Sequence, residues 1–259
     1  MKVTYRNPGF EHSIASILLF QEDDTAPYWS GVLSHFYPQI SDSKIKILKT
    51  DQRKDYIRSE LENVWNSLSA ELDIKADLYS RHFDRYHGQI EDALSDAFGI
   101  DTRSVFNDLV GNITLNPICP RFLKEKCFDV FYKNSERGAL GTSLHEIIHY
   151  VWFYVWNGHF KDSYSEYDTP SLKWILSEMA VESIMSDDRL ASINPYYPRE
   201  NGGCVYSYFQ DMVIQNEPIL DTLLKMYREN KITDYMERAY DFCLENESAI
   251  REHIKKSEQ

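Results

Sequence analysis

The chain is short of positive charge. It carries 28 Lys and Arg against 41 Asp and Glu, which gives a formal net charge of -13. A field of this sign repels phosphate backbones and anionic membrane surfaces. We therefore expect neither a nucleic-acid nor a membrane partner. An acidic composition is usually a matter of solubility, and a preference for cationic substrates or for a bound metal stays open.

Paired cysteines and long apolar runs are also missing. The chain has four cysteines, Cys119, Cys127, Cys204 and Cys243. None of them forms a C-x-x-C pair, so a cysteine zinc site or redox motif of that type is not expected, and we interpret them as buried free thiols. The most apolar run, residues 147–156, is half the roughly 20 residues needed to span a bilayer. The short apolar stretch at 14–20 does not resemble a signal peptide, so we expect a cytoplasmic protein.

The pattern of apolar residues predicts a mostly helical chain with a small sheet. Helical spacing through residues 56–68, and a charged stretch near 72–98 that ends at Gly99, predict helices in the first hundred residues. Short aromatic and β-branched stretches at 112–118 and 127–132 predict two strands. We predict an α+β fold, mostly helical, with residues 1–101 as a cap or subdomain and residues 102–259 as the main domain.

The second half of the chain contains two predicted helices of functional interest. Asn134 and Ser135 can cap a helix that continues to about Trp156 and ends at Asn157–Gly158. A polar loop at 161–170 leads to a second helix over about 171–188. A break at 194–198 follows, and residues 203–256 are predicted to be helical.

The first of these helices carries the sequence His145-Glu146-Ile147-Ile148-His149. An i, i+4 spacing places both imidazoles on one helix face a single turn apart, close enough to share one metal ion. Glu146 is turned by about 100° from His145, so it is free to act as a general base on a metal-bound water. Because the surrounding helix is apolar, polar side chains there would be costly without a partner. The motif therefore predicts a zinc site.

A catalytic zinc needs a third protein ligand and an open position for water. The second predicted helix offers Glu178 and Glu182, two acids one turn apart among apolar residues, and we predict Glu178 as the ligand. His159 is a weaker candidate because it lies beyond the predicted helix end. Asp187 and Asp188 are weaker still, since acids at a helix end usually face solvent.

With these residues the sequence resembles the gluzincin branch of the zincin metallopeptidases, over about residues 113–188. Ser177-Glu178 is similar to the Asn-Glu pair that carries the ligand in that branch, with Ser177 in place of Asn. The resemblance is closer to thermolysin-like than to aminopeptidase-like members, because Trp174 and Met179 depart from the aminopeptidase pattern. Exopeptidase action is not supported. The metzincin branch is excluded, since it needs a glycine and a histidine where this chain has Trp152 and Val155.

The resemblance implies further features. It implies a zincin-like domain, a peptide or protein substrate, and an edge strand that pairs with the substrate, for which 127–132 is the candidate. It implies that Glu182 orients the His145 ring from the second shell. A tyrosine or a histidine is also expected to stabilise the oxyanion. Four tyrosines are eligible by their order in the chain and none is assigned: Tyr196, Tyr197, Tyr206 and Tyr208.

The sequence thus predicts a zinc metallopeptidase with one Zn²⁺ per chain, held by His145, His149 and Glu178, in which Glu146 is the general base. Two alternatives stay open. One is a catalytically inactive zincin-like protein that binds metal or peptide and acts as a regulator. The other is a coincidental motif in a helical interaction protein. Substrate identity and oligomeric state are not predicted.

Overall fold

A computed structural model describes residues 1–163 and 171–257. Residues 164–170 of the predicted loop at 161–170 lie outside the described residues. Two compact units make up the chain. Unit 1 consists of Met1–Lys2, Phe83–Asn107 and Leu140–Gln259. Unit 2 consists of Val3–His82 and Asp108–Ala139. The units interleave along the sequence, so neither coincides with residues 1–101 or 102–259.

The protein is 66% helical with a small mixed sheet, which confirms the predicted α+β, mostly helical class. The strands are β1 (Val3–Arg6), β2 (Leu109–Thr114), β3 (Arg121–Phe122), β4 (Cys127–Phe131), β5 (Val213–Ile214) and β6 (Glu217–Pro218). The helices are α1 (Phe10–Leu18), α2 (Ala26–Phe36), α3 (Asp42–Ile47), α4 (Thr50–Asp84), α5 (His87–Phe98), α6 (Thr102–Val105), α7 (Glu136–Phe160), α8 (Leu172–Met185), α9 (Asp188–Ile193), α10 (Ser207–Gln210), α11 (Ile219–Glu229), α12 (Ile232–Glu245) and α13 (Glu247–Ser257). None of the described helices is long and apolar enough to cross a membrane.

Unit 2 is built on a four-stranded sheet in the order β1-β2-β4-β3. β1, β2 and β4 are parallel, and β3 runs antiparallel to β4. All five residues of β4 are buried. Gly111 in β2 lets this sheet pack tightly, since a Cβ there would lie 2.6 Å from the ring of Tyr5.

The prediction of an edge strand at 127–132 is wrong. The strand exists as β4, but it lies inside the sheet, between β2 and β3. The edge is β3, which pairs Arg121 with Phe128 and Phe122 with Cys127. Because Pro117 and Pro120 precede β3, the strand has only two residues before the chain turns back into β4. A peptide cannot pair with this part of β4 without displacing β3.

A buried polar network joins α1 to the sheet of unit 2. Asp129 on β4 is fully buried and accepts hydrogen bonds from Ser16 (2.5 Å) and from the Nε2 atom of His12 (2.9 Å). Asn112 on β2 donates to Asp129 at 3.4 Å and accepts a hydrogen bond from Arg6 at 3.1 Å. A buried carboxylate needs such donors, because its desolvation is otherwise uncompensated. The network therefore fixes α1 on the sheet.

The boundaries of α5 and α7 depend on local contacts of the residues at their ends. Gly99 ends α5 in the left-handed conformation (φ 62°), as predicted. Ser135 caps α7 by accepting a hydrogen bond from the backbone of Gly138 at 3.0 Å. The predicted end at Asn157–Gly158 is wrong, because α7 continues to Phe160. Its last turn is held by the Trp156 ring, which packs against Phe160 with ring centroids 4.4 Å apart and so favours continued helix over a glycine end.

The C-terminal part of unit 1 is helical, as predicted, with one exception. Residues 213–218 form a short hairpin of β5 and β6, in which Gln215 and Asn216 both have positive φ. α11 and α12 follow, and α12 packs its Tyr235 ring against Trp152 of α7. None of the four cysteines forms a disulfide, as predicted. Three are buried, but the prediction of burial is wrong for Cys119, which is half-buried.

Candidate metal centre

The two motif histidines meet at one point on α7. Their Nε2 atoms are 3.1 Å apart, and their ring centroids 4.9 Å apart. His149 is fully buried and stacks on Phe153, whereas the side chain of His145 is 19% exposed. The site is therefore closed on the His149 side and reachable from the His145 side, as the predicted i, i+4 spacing allows.

Glu178 on α8 completes the cluster. Ser171 caps this helix by accepting a hydrogen bond from the backbone of Trp174 at 3.1 Å, and residues 175–185 are buried on every side. The carboxylate oxygens of Glu178 lie 3.8 Å from Nε2 of His145 and 3.6 Å from Nε2 of His149. Its side chain is only 4% exposed. A carboxylate in such a helix needs a charged or hydrogen-bonding partner, and the two imidazoles face it.

The donor set fits a zinc ion. One ligand atom from each of His145, His149 and Glu178 lies within 4.8 Å of the other two, and no other such trio of His, Cys, Asp or Glu occurs in the described part of the chain. With Zn–N and Zn–O bonds of about 2.0–2.1 Å, ligand atoms around a tetrahedral zinc lie about 3.3–3.4 Å apart. The Nε2 atoms of the two histidines are 3.1 Å apart, and their shortest distances to Glu178, 3.8 and 3.6 Å, are to its two different oxygens, so each pair lies within about 0.5 Å of this spacing. Three protein ligands also leave the fourth position that a catalytic zinc requires.

Glu146 lies between the two histidines on the same helix and is 7% exposed. Its neighbours Leu144, Ile147 and Ile148 are buried apolar residues. A carboxylate among apolar residues is costly without a partner. The role of Glu146 as a general base stays a prediction.

Glu182 behaves differently from the prediction. It lies one turn after Glu178 on α8, but among the described residues its carboxylate binds Arg199 and not His145. The Nε atom of Arg199 donates to both of its oxygens, at 3.0 and 3.2 Å, and the Nη2 atom adds a third hydrogen bond. Nη2 also donates to Asp221 at 2.8 Å. The hydrogen bond to Glu182 raises the pKa of Arg199 above its usual range. The structure thus does not support an orienting role of Glu182 on His145.

The weaker ligand candidates lie outside the cluster. His159 pairs with Glu237 at 2.9 Å near the surface, at the end of α7. Asp187 caps α9 by accepting a hydrogen bond from the backbone of Arg189. Asp188 is in the first turn of α9. None of the three approaches the motif histidines as a metal ligand.

The four eligible tyrosines separate into two groups. Tyr206 and Tyr208 stack on each other with ring centroids 5.2 Å apart, and both pack against Phe209. Tyr196 is 47% exposed, and burial raises the pKa of Tyr197, with the charge of Glu182 as the next cause. Two of the four have surroundings on α8: the charge of Glu182 acts on Tyr197, and the Tyr206 ring packs against Trp174 with ring centroids 6.0 Å apart.

Sequence reasoning missed Arg199 and Asp221, which are linked by hydrogen bonds to Glu182 of α8, and Gly141 of α7. The buried acids of α8 signalled that a positive partner was needed, but nothing in the sequence singled out Arg199. Comparisons with known protein families, with curated proteins and with solved structures found no match for this chain.

Proposed function

We propose that the protein is a zinc-dependent metallopeptidase in which His145, His149 and Glu178 hold the metal and Glu146 is the general base. The observation that carries the proposal is the convergence of two imidazoles and one buried carboxylate from two helices, with ligand atoms within 4.8 Å. A zincin-like domain with a gluzincin ligand set would place its groups in this way. The H-E-x-x-H sequence adds the base at the position where the chemistry needs it.

When bound, zinc would supply a Lewis acid for the substrate carbonyl and lower the pKa of a water molecule. The protein's own groups do the rest. Glu146 takes the proton of the attacking water on its carboxylate and returns it to the nitrogen of the leaving amine. The buried wall around His149 excludes bulk water from one side of the centre. The exposed edge of His145 gives the substrate access, and the base contributes about 10²–10⁴-fold to the rate.

The first experiment is elemental analysis of first-row metals in protein purified without a polyhistidine tag. We expect about one zinc per chain in the wild type and a sharp loss in Glu178→Ala. Glu237→Ala is the matched control, because Glu237 also pairs with a histidine but lies outside the cluster. Absence of zinc from the wild type, even after dialysis against zinc, would contradict the proposal and favour a coincidental motif.

A second measurement separates an enzyme from an inactive metal-binding regulator. Wild type and Glu146→Gln are incubated with an unfolded protein and a mixed peptide set, and new amino termini are counted by mass spectrometry. We expect cleavage by the wild type, and zinc content unchanged but cleavage reduced by about 10²–10⁴-fold in Glu146→Gln. Equal cleavage by both proteins would refute the mechanism. Bound zinc without cleavage in either would favour the regulator.

A further inference from the structure

The segment Asn194–Arg199 touches both helices of the metal cluster. At its first end it meets α7 at Gly141, one turn before His145. A Cβ built on Gly141 would lie 2.9 Å from the Oδ1 atom of Asn194 and 3.0 Å from the Cδ atom of Pro195. The first distance is shorter than real Cβ contacts and the second is tighter than most of them, so a larger residue at position 141 would force the side chains of Asn194 and Pro195 to shift.

At its other end the segment meets α8 at Glu182, one turn after Glu178. Arg199 holds the Glu182 carboxylate by three hydrogen bonds and continues to Asp221 on α11. The side chain of Glu182 is 7% exposed. A planar guanidinium that binds a carboxylate through two of its nitrogens fixes both the distance and the orientation of the pair.

Between the two ends the segment is stiff. Pro195 and Pro198 fix two of its backbone φ angles. The side chain of Asn194 accepts a hydrogen bond from the backbone of Tyr196 at 2.9 Å, and the backbone of Gly203 donates to Pro198 at 3.2 Å. A short segment with these constraints transmits a displacement at one end to the other instead of absorbing it.

From this geometry we infer that the segment Asn194–Arg199 sets the separation of α7 and α8 at the metal centre, with Gly141 and Arg199 as positioning residues. The inference rests on the proposed metal site. One ligand atom from each of His145, His149 and Glu178 lies within 4.8 Å of the other two, whereas zinc needs about 3.3–3.4 Å between them, so a slide of either helix that widens this spacing weakens metal binding. Loss of supporting groups around a metal site typically lowers metal affinity about 10–100-fold.

The test compares zinc affinity in Arg199→Met, Arg199→Lys and Gly141→Ala, measured by competition with a chromophoric chelator. The visible spectrum of Co²⁺-substituted protein reports the coordination geometry independently of activity. We expect affinity about 10–100-fold lower in Arg199→Met and Gly141→Ala with an altered Co²⁺ spectrum, and partial rescue in Arg199→Lys, which keeps the charge but not the bidentate hydrogen bonding.

Arg189→Met is the matched control. Arg189 also binds one carboxylate, Asp187, through two nitrogens and reaches a second, Asp96, but it lies on α9, away from Glu178. We expect this variant to keep wild-type zinc affinity and Co²⁺ spectrum. Unchanged zinc affinity and Co²⁺ spectrum in Arg199→Met and Gly141→Ala would overturn the positioning role but not the metal site. An equal loss of zinc affinity in Arg189→Met would do the same. A wild type that binds no zinc would overturn the proposed function and this inference together.

Discussion

Replacing Asp129 tests whether the polar network of unit 2 holds α1 on its sheet. In Asp129→Ala, Ser16 loses the acceptor at 2.5 Å and His12 the acceptor at 2.9 Å. Asn112 keeps its contact with His12 at 3.3 Å. An orphaned buried donor costs about 1–3 kcal/mol, and a lost hydrogen bond at a half-exposed histidine about 0.5–1.5 kcal/mol. Removing the buried carboxylate itself returns part of this cost, since its desolvation is relieved.

We therefore expect Asp129→Ala to lower the free energy of unfolding by about 1–4 kcal/mol. Asp129→Asn, which keeps the shape and one acceptor oxygen, should lose roughly half as much. The assay is urea unfolding followed by circular dichroism, with hydrogen exchange at β2 and β4 to locate the effect. A double-mutant cycle with Ser16→Ala isolates the pair. A change below about 0.5 kcal/mol in Asp129→Ala, typical of a surface substitution, would refute this account.

Three further predictions concern the proposed metal site, the Cys243 thiol and the end of α5 at Gly99. Zinc at 100 times its dissociation constant should stabilise the wild type by about 2.7 kcal/mol, and His149→Ala should abolish this shift in a thermal melt. Burial raises the pKa of the Cys243 thiol from its usual value of 9.0 to about 12. Because the thiol keeps its proton to higher pH in the native state than in the unfolded chain, its contribution to the free energy of unfolding is complete below pH 9 and is lost as the pH rises toward 12. The urea midpoint should therefore fall less over that range in Cys243→Ala than in the wild type. Gly99→Ala, at φ 62°, should cost about 1–2 kcal/mol, whereas the same change at Gly158, which has open space around it, should not destabilise the protein.

Features of the site that depend on local spacing could be predicted from the sequence. His145 and His149 are neighbours on any helix, and two acids on the apolar α8 already required partners. The meeting of Glu178 with the histidines needed one further assumption, that the two helices pack together. The predicted cap at Ser135 and the helix end at Gly99 also depend on local geometry alone.

Features that depend on distant residues could not be predicted. Arg199 reaches Glu182 across α9 and the break at 194–198, and nothing in the sequence specifies this contact, so Glu182 was assigned to His145 instead. The place of β4 inside the sheet depends on β3, whose two residues carry no strand signal. The extension of α7 beyond Gly158 depends on aromatic packing of Trp156 and Phe160, which outweighs the low helix propensity of one glycine.

The pairing of β1 with β2 has a consequence for how the chain folds. Val3 lies beside Leu109 in the sheet, so more than a hundred residues must be synthesised before the first parallel ladder can close. The ladder between β2 and β4 waits for Phe131. Pairings of such sequence separation carry a large loop-closure entropy and fold slowly. During synthesis the helices α1 to α4 will therefore emerge from the ribosome before the sheet that they pack on can form. Until then these helices must remain soluble without it.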